Sequence, residues 1–83
     1  MKSVESVSAA IGVELIPCES SNIVAYGWAK NKLWILFKGD SLYQYLDQGE
    51  DKFIALKAAK SKGKWVNENL VKKDARYVGY DVT

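Results

Sequence analysis

The order of apolar and polar positions divides the chain into helical and extended stretches. Near the start, Val4, Val7 and Ile11 recur three and four residues apart, the spacing of one helix face. Ser3 stands where an N-cap belongs, Glu5 suits the first turn and Gly12 falls at the C-cap position. A short helix over 3–11 is therefore predicted. VELIP reads as a brief extended piece closed by Pro17, and ESSN (19–22) as a turn of small polar side chains. From Ile23 the period drops to two. Ile23–Trp28, Lys32–Lys38 and Ser41–Leu46 are strand candidates rich in β-branched and aromatic residues. AKNK and GD join them, each short enough for a hairpin. After DQGED the helical period returns in DKFIALKAAK, with Phe53, Leu56 and Ala59 or Lys60 on one stripe. SKGK interrupts it. KWVNENLVKK is a second helical candidate, with Trp65, Glu68 or Asn69 and Lys72 in register. The tail DARYVGYDVT alternates weakly and fits a last edge strand. The fold class expected is α+β: a small antiparallel meander of three to four strands, packed by one or two helices, with a short helix at the N-terminus.

Strand alternation assigns faces. Ile35, Phe37, Tyr43 and Tyr45 share one side, where a helix over 51–60 would lie on them. The two tyrosine rings are then core with their hydroxyls near the rim, or else a platform for stacking bases. Trp34, Leu36, Leu42 and Leu46 share the other side, with Val24, Tyr26 or Trp28 beside them. Two apolar faces on one small sheet cannot both face water. The second face needs a cover, either the N-terminal helix or another copy of the chain. A homo-oligomer, most simply a twofold dimer with Trp34, Leu36 and Leu42 at its interface, is the expectation.

Length and composition narrow the functional classes. At 83 residues the chain is one domain, split here into an N-terminal extension (1–15) and a main body (16–83). One cysteine, Cys18, excludes an internal disulfide. The N-terminus lacks a long apolar stretch and no run is long enough to span a membrane. A cytoplasmic protein without a membrane partner is expected. The chain has no histidine, which removes Ser-His and Cys-His nucleophiles, two-histidine metal sites and zinc fingers. Cys18 sits beside Glu19 with no basic neighbour to activate it. Asp47, Glu50 and Asp51 would suit a divalent ion or a carboxylate pair, but acids also belong at a helix N-terminus. No catalytic residue, metal or cofactor is expected, and the protein is read as a non-enzyme.

Charge is uneven. Residues 1–51 carry four lysines against seven acids, and residues 52–83 carry seven lysines and Arg76 against three acids. A basic C-terminal third suits an anionic partner as well as a solvated helical surface. Within it, SKGKW places Ser61, a glycine at 63 and Lys62 and Lys64 around Trp65. Gly63 would let the backbone approach a phosphate, and the lysines would supply charge. The run matches no established phosphate loop. Lys60, Lys72, Lys73 and Arg76 extend it into a basic cluster.

The order S-S-N-I, G-W, L-W-I-L-F, Y-Q-Y, F-I-A-L and S-K-G-K-W-V-N-E-N-L closely resembles the KTSC domain. This module is named for its occurrence at the C-terminus of some lysyl-tRNA synthetases and also stands alone in bacteria and phages. The Y-x-Y pair (Tyr43, Tyr45) and the run Ser61, Gly63, Trp65, Asn67 are its most specific marks, and the resemblance covers about residues 16–77. It implies a small α+β module, and the synthetase context implies RNA binding. Ala29 replaces a polar turn former, Trp65 replaces a smaller aromatic, and the Trp34–Leu36 face is apolar where the family is more polar. The first 15 residues look like an addition.

The leading expectation is a binding module for an anionic, nucleotide-containing ligand, most simply single-stranded RNA or DNA. Lys60, Lys62, Lys64, Lys72, Lys73 and Arg76 would meet phosphates. Trp65, Tyr43 and Tyr45 would stack, and Ser61, Gly63 and Asn67 would complete the loop. One alternative is a homo-oligomeric phage sponge that sequesters a mononucleotide or cyclic nucleotide signal to block host defence, acting in the host cytoplasm. Another is a protein–protein adaptor docking through Trp34 and Leu36.

Overall fold

The computed structural model describes residues 3–81, and of Asp81 the backbone alone. The first element, α1 (Val4–Ile11), forms as its signals predict. The Ser3 side chain accepts from the Ser6 N–H, and Gly12 takes the left-handed conformation at φ 70° that ends the helix. A five-stranded antiparallel sheet follows, in the order β1 (Ile16–Pro17), β2 (Ile23–Ala29), β3 (Lys32–Phe37), β4 (Ser41–Tyr45) and β5 (Tyr77–Asp81). Three further helical pieces join β4 to β5: α2 (Glu50–Ala58), α3 (Lys62–Val66) and a π-helical turn (Asn67–Val71).

The β2–β3 hairpin turns through Lys30 and Asn31, both at positive φ (51° and 64°), the conformation of a two-residue turn that matches strand twist. The β3–β4 connection uses Lys38, Gly39 and Asp40, the last two at positive φ. β5 pairs with β4 from Tyr45↔Tyr77 to Ser41↔Asp81. The sheet has five strands rather than three or four because both weakly patterned segments, VELIP and the tail, find ladder partners. The sequence reads both as extended, and the structure supplies the pairing that it does not give. The predicted tail strand extends to residue 83, and its last two residues lie outside those described.

The two faces of the sheet are covered by different parts of the chain. On one, Ile23, Tyr26, Leu33, Ile35 and Tyr45 pack with Leu56 of α2, Val66 of α3 and Leu70 of the π turn. On the other, Ala25, Trp34, Leu36 and Leu42 pack with Val7 of α1 and Leu15. A β-bulge between Ile23 and Ala25 sets this allocation. It lets Val24 and Ala25 serve the α1 side in succession, so Tyr26 and Trp28 face the α2 side rather than joining Trp34. Leu46 lies past the end of β4 and lines the α2–α3 side, not the α1 side that alternation predicts.

Trp34 (5% exposed), Leu36 (1%) and Leu42 (0%) are thus buried inside a single chain. The cover expected from a second copy is supplied by α1, and these three residues present no surface to one.

The helical layer also departs from the periodicity. α3 begins at Lys62, inside the SKGK stretch read as an interruption, because the Ser61 hydroxyl caps it by accepting from the Lys64 N–H. Its buried face is Val66 and Leu70, not the predicted stripe through Trp65 and Lys72. Trp65 is half-buried at the edge of the core.

Candidate functional site: an aromatic pocket between the sheet and the π turn

The pairing of β4 with β5 sets Tyr77 opposite Tyr45. Their ring centroids are 5.5 Å apart, and Tyr43 lies 4.9 Å from Tyr77 and 6.3 Å from Tyr45. Phe37, one strand further in, packs edge-on against Tyr43 at 5.5 Å. These four rings form one wall of a pocket of about 710 Å³, within the size range of small-molecule sites. Leu70, Val71 and Ala75 close it from the helical side, Leu46 lies at its base, and Asp74 and Arg76 stand on its rim.

Local structure explains the opening. At the end of the helical layer the Lys72 N–H reaches the Asn67 carbonyl (2.8 Å) and the Ala75 N–H reaches the Leu70 carbonyl (3.0 Å). Each bond spans five residues, which widens the helix beyond an α turn, a distortion often found at functional sites. The chain then leaves through Asp74 at positive φ (52°) and enters β5. Val71 and Tyr77 stay more than half exposed at the mouth. Tyr45 is buried at the back. Burial there, with Tyr77 and Tyr43 adjacent, pushes its phenol above the ordinary tyrosine value.

Arg76 donates to the Asp47 carboxylate at 2.8 Å, and both side chains are well exposed. Such a pair contributes about 0–1 kcal/mol, so separating Arg76 from Asp47 costs little. Lys72 and Lys73 are exposed on the segment between the π turn and the rim.

The structure divides the residues singled out in the sequence. Tyr43, Tyr45 and Arg76 come together in this pocket, with Lys72 and Lys73 beside it in the chain. Ser61, Lys64 and Trp65 line a separate, shallower depression of about 340 Å³ with Ala59, Lys60 and Glu68. Lys64 lies in α3 and Lys72 follows the π turn, eight residues further along the chain.

Lys62 belongs to neither. Its ammonium donates to the carbonyls of Lys57 (3.0 Å) and Ala59 (2.6 Å), closing the C-terminal end of α2. Gly63 faces Asn22 and Ser20, where a Cβ would come within 2.5 Å of the Asn22 Oδ1. Its missing side chain makes room for the ESSN turn rather than for a phosphate. The Asn67 side chain is exposed and does not line the aromatic pocket, while its carbonyl takes the Lys72 N–H.

Tyr77, Val71 and Asp74 are site residues that periodicity missed. The available signal was Tyr77 following Lys72, Lys73 and Arg76, but its place beside Tyr45 depends on the β4–β5 ladder. Asp47, Glu50 and Asp51 do not converge, and the described residues hold no group of three metal-ligating side chains. No helix among them is long and apolar enough to cross a membrane.

Residues 19–77, which contain this pocket, match the family model of the KTSC domain. The chain belongs to the KTSC domain family. The crystal structure of a KTSC domain protein from Yersinia pestis superimposes with a TM-score of 0.73 at 27% identity, covering 83% of this chain and 99% of that one. No curated protein matches the chain. The KTSC match starts in the turn before β2 and stops at the first residue of β5. α1 and β1 therefore lie outside it, although α1 packs against a core face made by KTSC strands.

Proposed function

We propose that this KTSC domain is a binding module for single-stranded RNA or DNA, held by one unpaired base in the aromatic pocket. The observation that carries the reading is the joining of Tyr43, Tyr45, Tyr77 and Phe37 in one concave wall with Arg76 on its rim. A base entering the pocket stacks on the accessible Tyr77 ring and buries its edge against Leu70 and Ala75. Stacking of this kind contributes about 1–3 kcal/mol per base. Arg76, released from Asp47, and the exposed Lys72 and Lys73 then meet the flanking phosphates. A duplex cannot use the site without extruding a base, which costs a few kcal/mol.

The pocket's volume also supports a second reading, a free mononucleotide or cyclic nucleotide. A sponge role would then rest on this intramolecular pocket, because the apolar face expected to build an oligomeric one is covered by α1. The adaptor reading loses its docking face for the same reason.

Fluorescence anisotropy with a labelled single-stranded RNA oligonucleotide tests the proposal. Saturable binding at low salt, weakened by Tyr77→Ala and unaffected by Lys64→Gln, is expected. Binding of a free nucleotide without any oligonucleotide binding establishes the second reading instead. No binding of either removes both.

A further inference from the structure

The sheet ends in two unlike edges. β1 is two residues long and carries Pro17, which has no N–H to offer. β5 runs for five residues, Tyr77–Asp81, with no proline, lysine or register shift along its pairing with β4. Native proteins block long edges with such features, because unpaired main-chain groups there attract another strand. Among the described residues, the large apolar side chains left exposed are Ile54, Val71, Tyr77, Val78 and Tyr80, so three of the five lie on this one strand.

The ladder fixes which groups of β5 are free. The Arg76 carbonyl accepts from the Leu46 N–H at 2.8 Å. Bonded pairs recur at every second residue of an antiparallel ladder. Val78 and Tyr80 therefore turn their N–H and C=O groups towards Gln44 and Leu42 of β4. Tyr77, Gly79 and Asp81 turn theirs outwards, where among the described residues no strand meets them. Side chains alternate as well. Tyr77 and Gly79 lie on the side of Tyr43. Val78 and Tyr80 lie on the side of Trp34, whose ring is 4.9 Å from that of Tyr80.

We infer that β5 is a self-pairing edge: it joins β5 of a second copy, antiparallel and centred on Gly79, so that two five-stranded sheets become one. The strand is its own complement in this register. Tyr77, Gly79 and Asp81 of one copy meet Asp81, Gly79 and Tyr77 of the other, and every outward main-chain group finds a partner. At the centre two glycines face each other, with no side chains to collide. Beside them, Val78 of each copy stands opposite Tyr80 of the other on the α1 side. This is the closer, non-bonded spacing, at which β-branched and aromatic side chains pair well. At each end, position 76, which is basic, comes next to position 81, which is acidic. A parallel pairing would set like charges together instead. A foreign strand would satisfy the main chain alone. Self-pairing leaves the Tyr77 rings at their pockets. It puts both pockets on one side of the joined sheet, with the two Tyr77 positions about 14 Å apart.

An interface of five residues a side falls in the small, transient class, below about 1,200 Å². The dimer should therefore be reversible, with a Kd between about 1 μM and about 1 mM. Sedimentation equilibrium of the full chain across that range should show the mass rising from 9.3 kDa towards twice that value. Hydrogen exchange followed by nitrogen-15 NMR should show the Tyr77, Gly79 and Asp81 amides gaining protection with concentration. Val78 and Tyr80, already bonded to β4, should not change. In a mixture of carbon-13-labelled and unlabelled chains, intermolecular nuclear Overhauser contacts should join Val78 to Tyr80. Val78→Lys puts two ammonium groups near each other across the twofold axis. It should remain monomeric over the same range and melt where the dilute parent melts. If that variant fails to fold, the exchange and contact measurements on the parent decide alone.

A parent chain that stays monomeric up to about 1 mM overturns the proposal. It does so equally if an added valine- and threonine-rich peptide then protects the same amides, which gives the edge to a foreign strand. A dimer in which those amides exchange as freely as in the monomer also overturns it, as does one that Val78→Lys leaves intact, since either places the contact elsewhere.

Discussion

The carbonyl oxygen of Glu14 lies directly over Gly27, 2.5 Å from where a Cβ at position 27 would stand. The backbone between α1 and β1 can rest on the sheet only because that side chain is missing, and the Leu15 side chain comes next at 3.0 Å. Because the obstacle at Gly27 is main chain, it cannot turn aside. Gly27→Ala should destabilise the fold by about 1–3 kcal/mol, and hydrogen exchange should show α1 loosening first. Gly63→Ala offers the contrast. Its nearest neighbours are the ends of the Asn22 and Ser20 side chains, which are free to rotate, and alanine gains up to about 1 kcal/mol of helix propensity. Chemical denaturation should find it within about 0.5 kcal/mol of the parent.

Lys62 joins the end of α2 to the environment of Cys18. Burial raises the Cys18 thiol above its ordinary value, and the Lys62 ammonium pulls it part of the way back. Lys62→Met should therefore raise the thiol further and slow its alkylation at mildly alkaline pH. It should also lower stability by about 1 kcal/mol, since two carbonyls at the end of α2 lose their donor. A thiol that reacts at the parent rate in a folded variant would contradict the coupling.

Tyr45 and Tyr26 both hold their phenol protons more tightly in the folded chain, chiefly because they are buried. The folded value is raised, so this contribution to stability is whole below about pH 10, the ordinary tyrosine value. It is lost as the pH climbs through and beyond that value. Ultraviolet titration should show late-ionising tyrosines accompanied by alkaline unfolding. Tyr45→Phe should move the onset of unfolding to higher pH.

Binding should separate rings from charges. Tyr77→Ala removes an exposed ring, so stability should change little while affinity for a single strand falls by about 1–3 kcal/mol at every salt concentration. Neutralising Lys72, Lys73 or Arg76 should instead reduce the salt slope, by about 0.7 for each phosphate that no longer meets a cation. Lys62→Met should leave the slope unchanged, since its ammonium serves α2. Equal slope changes from Lys62 and Lys72 would mean that the strand follows the SKGKW surface instead of the pocket.

Local signals suffice wherever a residue's role depends on near neighbours. Ser3 and Gly12 bound α1, Lys30 and Asn31 turn the first hairpin, and alternation puts Tyr43 and Tyr45 opposite Trp34 and Leu36. The family marks, Tyr43–Tyr45 and the run from Ser61 to Asn67, are likewise present in the order of residues. Long-range contacts decide the rest. Lys62 and Gly63 look like an anion loop in sequence, but the end of α2 takes the one and the side chains of the ESSN turn lie against the other. Tyr77 becomes a site residue only when a weakly patterned tail completes the sheet beside Tyr45. The bulge at Ile23–Ala25 sends Tyr26 and Trp28 to the α2 side, and α1 covers the face for which a second copy was expected. Periodicity reports which residues seek burial, because that preference belongs to each side chain. It does not report which distant segment answers, because that depends on how the whole chain closes.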